Sequence, residues 1–231
     1  MGDFKNLRTL PVFILRELEA RRLAREVPAS LPTELLLEEL EEHESQYAAV
    51  TDEAGSVWVL GTRRSGKSRG FIRRMLYDAV TLPDTHQIYV NTTRKEAWRI
   101  AWRGARNIDG FDPLIRRWGI QCEMRLGNLD IRFPNGSLIE LLGADDETSI
   151  DKALGGAYHR AWFDEAQKMP FLGHAIKNTL GPAMMDVGGQ MIFTGTPSVL
   201  LQGEFFEVTR PDSERKAGSV HVISALDNPL F

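Results

Sequence analysis

Cysteine is almost missing from this 231-residue chain. Cys122 stands alone, so no disulfide can form within the chain, which fits a reducing interior. No apolar run approaches the roughly 20 residues that cross a bilayer. The opening MGDFKNLRTLPVFILRELEARR has charge on both sides of a short apolar stretch and no convincing cleavage site, so it does not read as a secretory signal. Asn6 breaks the acylation pattern that Gly2 would otherwise begin. Internal repeats and low-complexity stretches are also lacking, which excludes solenoids and linker-like chains. What remains, 42% hydrophobic and 26% charged residues, suits one substantial α/β domain with a buried core.

The net charge of −4 conceals an uneven distribution. Residues 1–56 carry six Lys/Arg against twelve Asp/Glu, whereas residues 61–118 carry thirteen against five. The basic segment includes Arg69, Arg73, Arg74, Arg94, Lys95, Arg99, Arg103, Arg106, Arg116 and Arg117. Such asymmetry suggests a polyanion or an acidic partner surface. Solvated helix faces explain it as well, and DNA binding does not follow from charge.

Within that segment, Gly61-Thr62-Arg63-Arg64-Ser65-Gly66-Lys67-Ser68 fills the phosphate-binding pattern G-x-x-x-x-G-K-[ST] at every fixed position. An apolar run, Val57-Trp58-Val59-Leu60, precedes it and a helical stretch follows. A triphosphate needs converging backbone N–H donors, a helix N-terminus, a lysine for its terminal phosphates and a hydroxyl for Mg²⁺. Lys67 and Ser68 supply the last two. A nucleoside triphosphate, ATP in the first instance, is the expected ligand.

Ala161-Trp162-Phe163-Asp164-Glu165 is a second apolar run, ending in two carboxylates. A buried parallel strand delivers its last residues to the carboxyl edge of the sheet, where ligands bind. There Asp164 can hold the Mg²⁺ that Ser68 touches, and Glu165 can polarise a water for in-line attack on the γ-phosphorus. A glutamate directly after the metal-associated aspartate favours hydrolysis over transfer to a second metabolite.

Along the chain, helices are expected over residues 12–27 and 33–46. A strand is expected at 57–61, a helix from Lys67 to Val80 ending before Pro83, a strand at 87–91 and a helix at 94–106. Residues 121–143 alternate around Gly127-Asn128 and Pro134-Asn135-Gly136, an antiparallel insertion ahead of the Asp164 strand. A helix over 172–180, a strand at 190–194, a short helix and a last strand at 220–224 complete the pattern. The fold class is therefore α/β: a mostly parallel central sheet flanked by helices, with an antiparallel β insertion and a helical N-terminal segment. MIFTGTPS, residues 191–198, ends its strand in hydroxyls, so Thr194 and Thr196 are expected near the γ-phosphate.

With these residues in order, the chain resembles the ATPase domain of the large terminase subunit of tailed bacteriophages. The resemblance rests on GTRRSGKS at 61–68, ELLGADDETSIDKALGGAYHRAWFDEAQ at 140–167, TGTP at 194–197 and SALDNPLF at 224–231. It implies a P-loop NTPase of the ASCE/RecA-like class over residues 50–231, with 1–49 as a lid or adenine-side segment. It further implies an Mg²⁺-dependent ATPase that drives double-stranded DNA into a procapsid in the cytoplasm of an infected bacterial host. A homo-oligomeric ring working with portal protein and small terminase subunit is implied too. By the same resemblance Lys67 and Ser68 bind phosphates and metal, Asp164 completes the metal site and Glu165 is the catalytic carboxylate. Arg63 offsets transition-state charge, Arg64 being the less favoured neighbour, and Thr194-Gly195-Thr196 couples hydrolysis to movement. Gln46 or Tyr47 stands where the family often contacts the base, although a surface Gln and a half-buried Tyr fit equally.

Two departures stand out. Where many members carry an arginine before a glycine, for use across a ring interface, this chain reads Ala153-Leu154-Gly155-Gly156, with Lys152 and Arg160 as possible substitutes. The family's nuclease domain is not within these 231 residues, so either an excised ATPase domain, the favoured expectation, or a nuclease on a separate chain is expected. The alternative reading is a single motor domain of a superfamily-2-like helicase, since Asp164-Glu165-Ala166-Gln167 resembles its DEAx motif. A nucleotide switch without turnover would have no use for Glu165.

Overall fold

The computed structural model describes residues 43–105, 108–185, 187–197, 202–214 and 218–228. The helix expected at 12–27, and all but the end of that expected at 33–46, lie outside them. The first described helix, α1, runs over Glu44–Thr51. It precedes β1, Ser56–Gly61, and α2, Lys67–Thr81. Helix α2 stops at Leu82, which is extended, as a residue before proline prefers.

Strand β2, His86–Asn91, leads into α3, Arg94–Ala97, which widens into a π-helical turn over Trp98–Trp102. Helix α4, Phe111–Trp118, was not foreseen. It is short, holds Pro113 in its first turn and ends on Gly119 at φ 61. Strands β3 (Glu123–Arg125), β4 (Asp130–Arg132) and β5 (Leu138–Gly143) follow, then α5, Glu147–Asp151. Strand β6, Arg160–Asp164, ends on the predicted aspartate. Beyond it the expected 172–180 helix is α6, Leu172–His174, then a π-helical turn over Ala175–Thr179, then α7, Leu180–Met185. Strand β7 (Gln190–Gly195), α8 (Glu204–Thr209) and β8 (Ser219–Ile223) close the described chain.

Among the described residues the strands form one eight-stranded sheet in the order β3-β4-β5-β2-β6-β7-β1-β8. From β5 to β8 neighbours run parallel. The expected antiparallel insertion is the β3–β4 edge, and β5 is the seam, antiparallel to β4 and parallel to β2. Side chains alternate between the two faces, each covered by helices. Val57, Val59, Tyr89, Trp162 and Ile192 pack with Phe71, Ile72 and Met75 of α2 on one face. Trp58, Val90, Phe163 and Phe193 pack with Leu172 and Phe205 on the other. Trp58, Phe193 and Phe163 form a ladder of stacked rings at centroid spacings of 4.0 and 5.0 Å. This two-sided burial fixes strand register, and with it which residues arrive at the carboxyl edge.

The basic segment does not form a single cationic face. Arg73 and Arg74 are buried in α2. Arg74 pairs with Asp78 at 2.9 Å and Glu53 at 2.5 Å, and Arg116 and Arg117 pair with Asp112 and Asp109.

Candidate nucleotide site

The order β6-β7-β1 brings three strand ends side by side at the carboxyl edge of the sheet. The loop after β1 carries residues 61–68, and its turn into α2 is made by Gly66 at φ 83, a left-handed value that glycine adopts without strain. The loop is held from several sides. Thr62 N–H donates to Ile223 O at 3.0 Å, and Thr62 Oγ1 accepts from Ala225 N at 2.8 Å. Asn228 donates to Arg64 O at 2.7 Å. Gln46, buried in α1, donates its amide to Gly66 O, and His43 Nε2 donates to Ser65 O at 3.0 Å. His43 Nδ1 then accepts from Gln46 N at 3.3 Å and caps α1, so a single tautomer ties that helix to the loop. The Ser65 hydroxyl is buried without a hydrogen-bond partner among the described residues.

The predicted residues meet around a cavity of about 920 Å³, lined by Gln46, residues 63–69, Asp164, Glu165 and Thr196, with Arg99 and Ile100 on the far wall. That volume is within the range of nucleotide-sized pockets. Lys67 Nζ donates to Gly61 O at 3.4 Å and to Thr196 Oγ1 at 3.2 Å. Ser68 Oγ donates to Asp164 Oδ2 at 3.2 Å, across 96 residues of chain. Arg63 is exposed on the rim.

Asp164 is only 1% exposed, and its carboxylate is crowded with donors. Besides Ser68 it accepts from Tyr89 OH at 3.0 Å, Thr194 Oγ1 at 2.8 Å and the Glu165 N–H at 3.1 Å. Tyr89 OH is itself held by Asn91 at 2.7 Å, and Thr194 Oγ1 by Trp162 Nε1 at 2.9 Å. Burial raises the Asp164 carboxyl above its ordinary range, opposed by the Lys67 charge and by the Thr194 and Tyr89 bonds. Burial and the Asp164 charge push the Tyr89 phenol well up, so it stays a neutral donor.

Glu165 is turned into the pocket by a left-handed backbone, φ 59, uncommon for a residue with a side chain. Lys168 pairs with its Oε2 at 2.7 Å and Gln167 donates at 3.0 Å. Burial raises this carboxyl too, but the Lys168 bond and charge, Lys67 and Gln167 outweigh it and hold it below the usual glutamate range.

The two threonines divide. Thr194 is buried and faces Asp164, whereas Thr196 reaches Lys67. Between them Gly195 leaves room for Phe205 and Gln167: a Cβ there would stand 2.5 Å from the Phe205 ring. Arg160, weighed as a substitute finger, lies at the opposite end of β6, buried and bonded to Asp78 at 2.8 Å and to Gln190. Its guanidinium is thus engaged within its own chain. Lys152 is exposed. Tyr89, Asn91, His43 and Lys168 went unrecognised in the sequence. The available signal was a tyrosine inside an apolar strand, since a buried phenol needs a partner.

Among the described residues no cluster of three His, Cys, Asp or Glu could hold a metal. The donors present, one hydroxyl and one carboxylate, suit Mg²⁺, which takes few protein oxygens and keeps waters and phosphates as its other ligands.

A mostly parallel α/β sheet with this loop at its carboxyl edge defines a phosphate-loop α/β protein. The family model described as terminase large subunit, T4likevirus-type, N-terminal matches residues 58–199, and the chain belongs to that family. No curated protein matches it in sequence. The large terminase ATPase domain of Thermus phage P74-26 is similar in fold, with a TM-score of 0.59 at 16% identity, covering 80% of this chain and 82% of that one. The large terminase of a second thermophilic bacteriophage, solved with ADP, gives 0.63 at 15% identity, covering 82% of this chain and 47% of that one. The same protein with ATP-γ-S gives 0.58 at 16% identity, covering 82% and 46%. This chain therefore corresponds to about half the length of that second terminase.

Proposed function

We propose that the chain is the ATP-hydrolysing motor domain of a phage DNA-packaging terminase, acting on double-stranded DNA. In this reading residues 61–68 bind the phosphates. Lys67, now spanning Gly61 and Thr196, exchanges those contacts for the terminal phosphates. Ser68 and Asp164 would hold Mg²⁺, which supplies charge stabilisation at the β- and γ-phosphates. Glu165, kept ionised by its cationic neighbours, orients and accepts a proton from the attacking water. Arg63, on the rim, offsets charge spreading over the γ-phosphoryl oxygens. The observation that carries the reading is the 3.2 Å approach of Ser68 Oγ to Asp164, beside Lys67 and Glu165 in one nucleotide-sized pocket.

The Thr194–Asp164 bond suggests how chemistry is coupled to movement. A change in what Asp164 holds is felt by Thr194, and Gly195 transmits it against Phe205 of α8. Assembly into a ring with portal protein and small terminase subunit, in the host cytoplasm, belongs to the same proposal. Among the described residues no helix is long and apolar enough to cross a membrane. The test is phosphate release from ATP with Mg²⁺ as protein concentration rises, with and without linear double-stranded DNA. Slow basal release that climbs steeply with concentration and with DNA is expected. No release under any of these conditions would refute the proposal.

A further inference from the structure

Among the described residues, five cationic side chains line the nucleotide cavity: Arg63, Arg64, Lys67, Arg69 and Arg99. Four belong to the phosphate loop or the first turn of α2, and only Arg99 comes from another part of the sheet. It sits in the π-helical turn after β2, where Arg103 N–H reaches back to Trp98 O at 2.9 Å. Widened turns of this kind recur at functional positions.

Strand order fixes which end of a nucleotide this residue would meet. Passing along the sheet, β2 adjoins β6, then come β7, β1 and β8. Asn228 and Arg64 therefore flank the loop on the β8 side, whereas Arg99 lies beyond Asp164 and Glu165, on the β2 side. Lys168 marks the same end. It pairs with Glu165 at 2.7 Å, and its charge also bears on Glu96. Glu96 in turn holds Arg99, whose Nε stands 3.1 Å from Oε2 and whose NH2 group is at 2.5 Å. Glu165 and Arg99 line the cavity, and Lys168 and Glu96 join them in a series of four alternating charges.

We propose that Arg99 is a ligand of the terminal phosphate, acting within its own chain and held by Glu96 until a triphosphate enters. The inference rests on the nucleotide site proposed above. The Arg99 side chain is 50% exposed and that of Glu96 33%, so water screens their pair and it is weak. A γ-phosphate in the pocket carries more charge and offers a guanidinium two oxygens. ADP, lacking that group, leaves Arg99 on Glu96. The residue therefore discriminates between the nucleotides before and after hydrolysis.

The test measures Kd for ATP-γ-S and for ADP, with Mg²⁺, on the 231-residue chain and on Arg99→Gln, Glu96→Gln and Lys67→Ala, with thermal melts confirming that each folds. Arg99→Gln should weaken ATP-γ-S by roughly tenfold, the loss of a charge-assisted bond, and leave ADP unchanged. Glu96→Gln, which releases Arg99, should raise the preference for ATP-γ-S over ADP. An unchanged preference in Arg99→Gln, an equal loss of both nucleotides, or an unchanged or lower preference in Glu96→Gln overturns the assignment. Lys67→Ala separates the two claims: if it binds like the unsubstituted chain, the site itself is wrong. If it loses binding while Arg99→Gln behaves normally, only the role of Arg99 falls.

Discussion

Tyr89→Phe removes one oxygen atom and tests how the buried Asp164 carboxylate is kept ionised. Tyr89 is fully buried, and its hydroxyl donates to Asp164 Oδ2 at 3.0 Å while accepting from Asn91. In phenylalanine the ring still packs edge-on against Trp162, as Tyr89 does at 4.6 Å, so the core is preserved. The loss is confined to the hydrogen bond. A bond to a charged acceptor is worth about 1.5–3 kcal/mol, a factor of roughly 10 to 150 in the balance between ionised and protonated carboxyl. Water cannot take the place of the donor, because Asp164 is only 1% exposed. Burial already raises this carboxyl and the Tyr89 bond opposes it, so removing the bond raises it further. The protonated form then persists to higher pH, and activity that needs the carboxylate is lost from the acid side first. The assay is the pH profile of kcat/KM for ATP at saturating Mg²⁺. The acid limb of Tyr89→Phe should move to higher pH, with rates converging on the parent's in alkaline buffer. Superimposable acid limbs would refute the reasoning, and a uniform drop at every pH would indicate damaged packing instead.

Other substitutions probe separate parts of the account. Arg63→Ala should lower turnover by about 10³-fold or more, with modest change in nucleotide Kd; an unchanged kcat would assign the charge-offsetting role elsewhere. Gln46→Ala removes a bond to Gly66 O and should weaken nucleotide binding by roughly fivefold in a titration, the scale of one neutral hydrogen bond. Arg160→Met leaves the buried Asp78 with Arg74 alone and should cost about 3–5 kcal/mol in a denaturant melt, with nucleotide Kd unaffected. Lys168→Met takes away the main influence lowering Glu165, so that carboxyl rises and the acid limb of turnover shifts to higher pH without a change in Mg²⁺ requirement. An acid limb that stays in place would mean that Glu165 does not limit the rate there.

The features legible in the sequence were local ones. Val57–Leu60 and Ala161–Phe163 announce strands because two-sided burial leaves no polar alternation to obscure them, and Pro83 ends α2 by direct steric exclusion. What escaped notice depends on contacts between distant residues. Thr194 was expected at a phosphate, yet its register opposite Asp164 turns its hydroxyl onto that carboxylate, a consequence of β6–β7 pairing. Arg160 looked available because the run Tyr158-His159-Arg160 shows no sign that Asp78, 82 positions earlier, waits behind it. Several cations of residues 61–118 are engaged in such pairs, mostly with acids of the same segment. The π-helical turns at 98–102 and 175–179 were missed because apolar spacing reports a helix, not its width. His43 lies among Glu41, Glu42 and Glu44, where nothing in the sequence marks a buried residue, and only the fold shows it gripping Ser65.

The central claim is that residues 96 positions apart form one centre in which binding and bond cleavage have different owners. It is tested most directly by single-turnover measurements with radiolabelled ATP, following bound ATP and released phosphate together in Lys67→Ala and Glu165→Ala. The account expects Lys67→Ala to retain no ATP and Glu165→Ala to retain ATP while releasing phosphate at least about 10²-fold more slowly than the parent, the scale of a lost general base. Parent-like phosphate release from Glu165→Ala would contradict it.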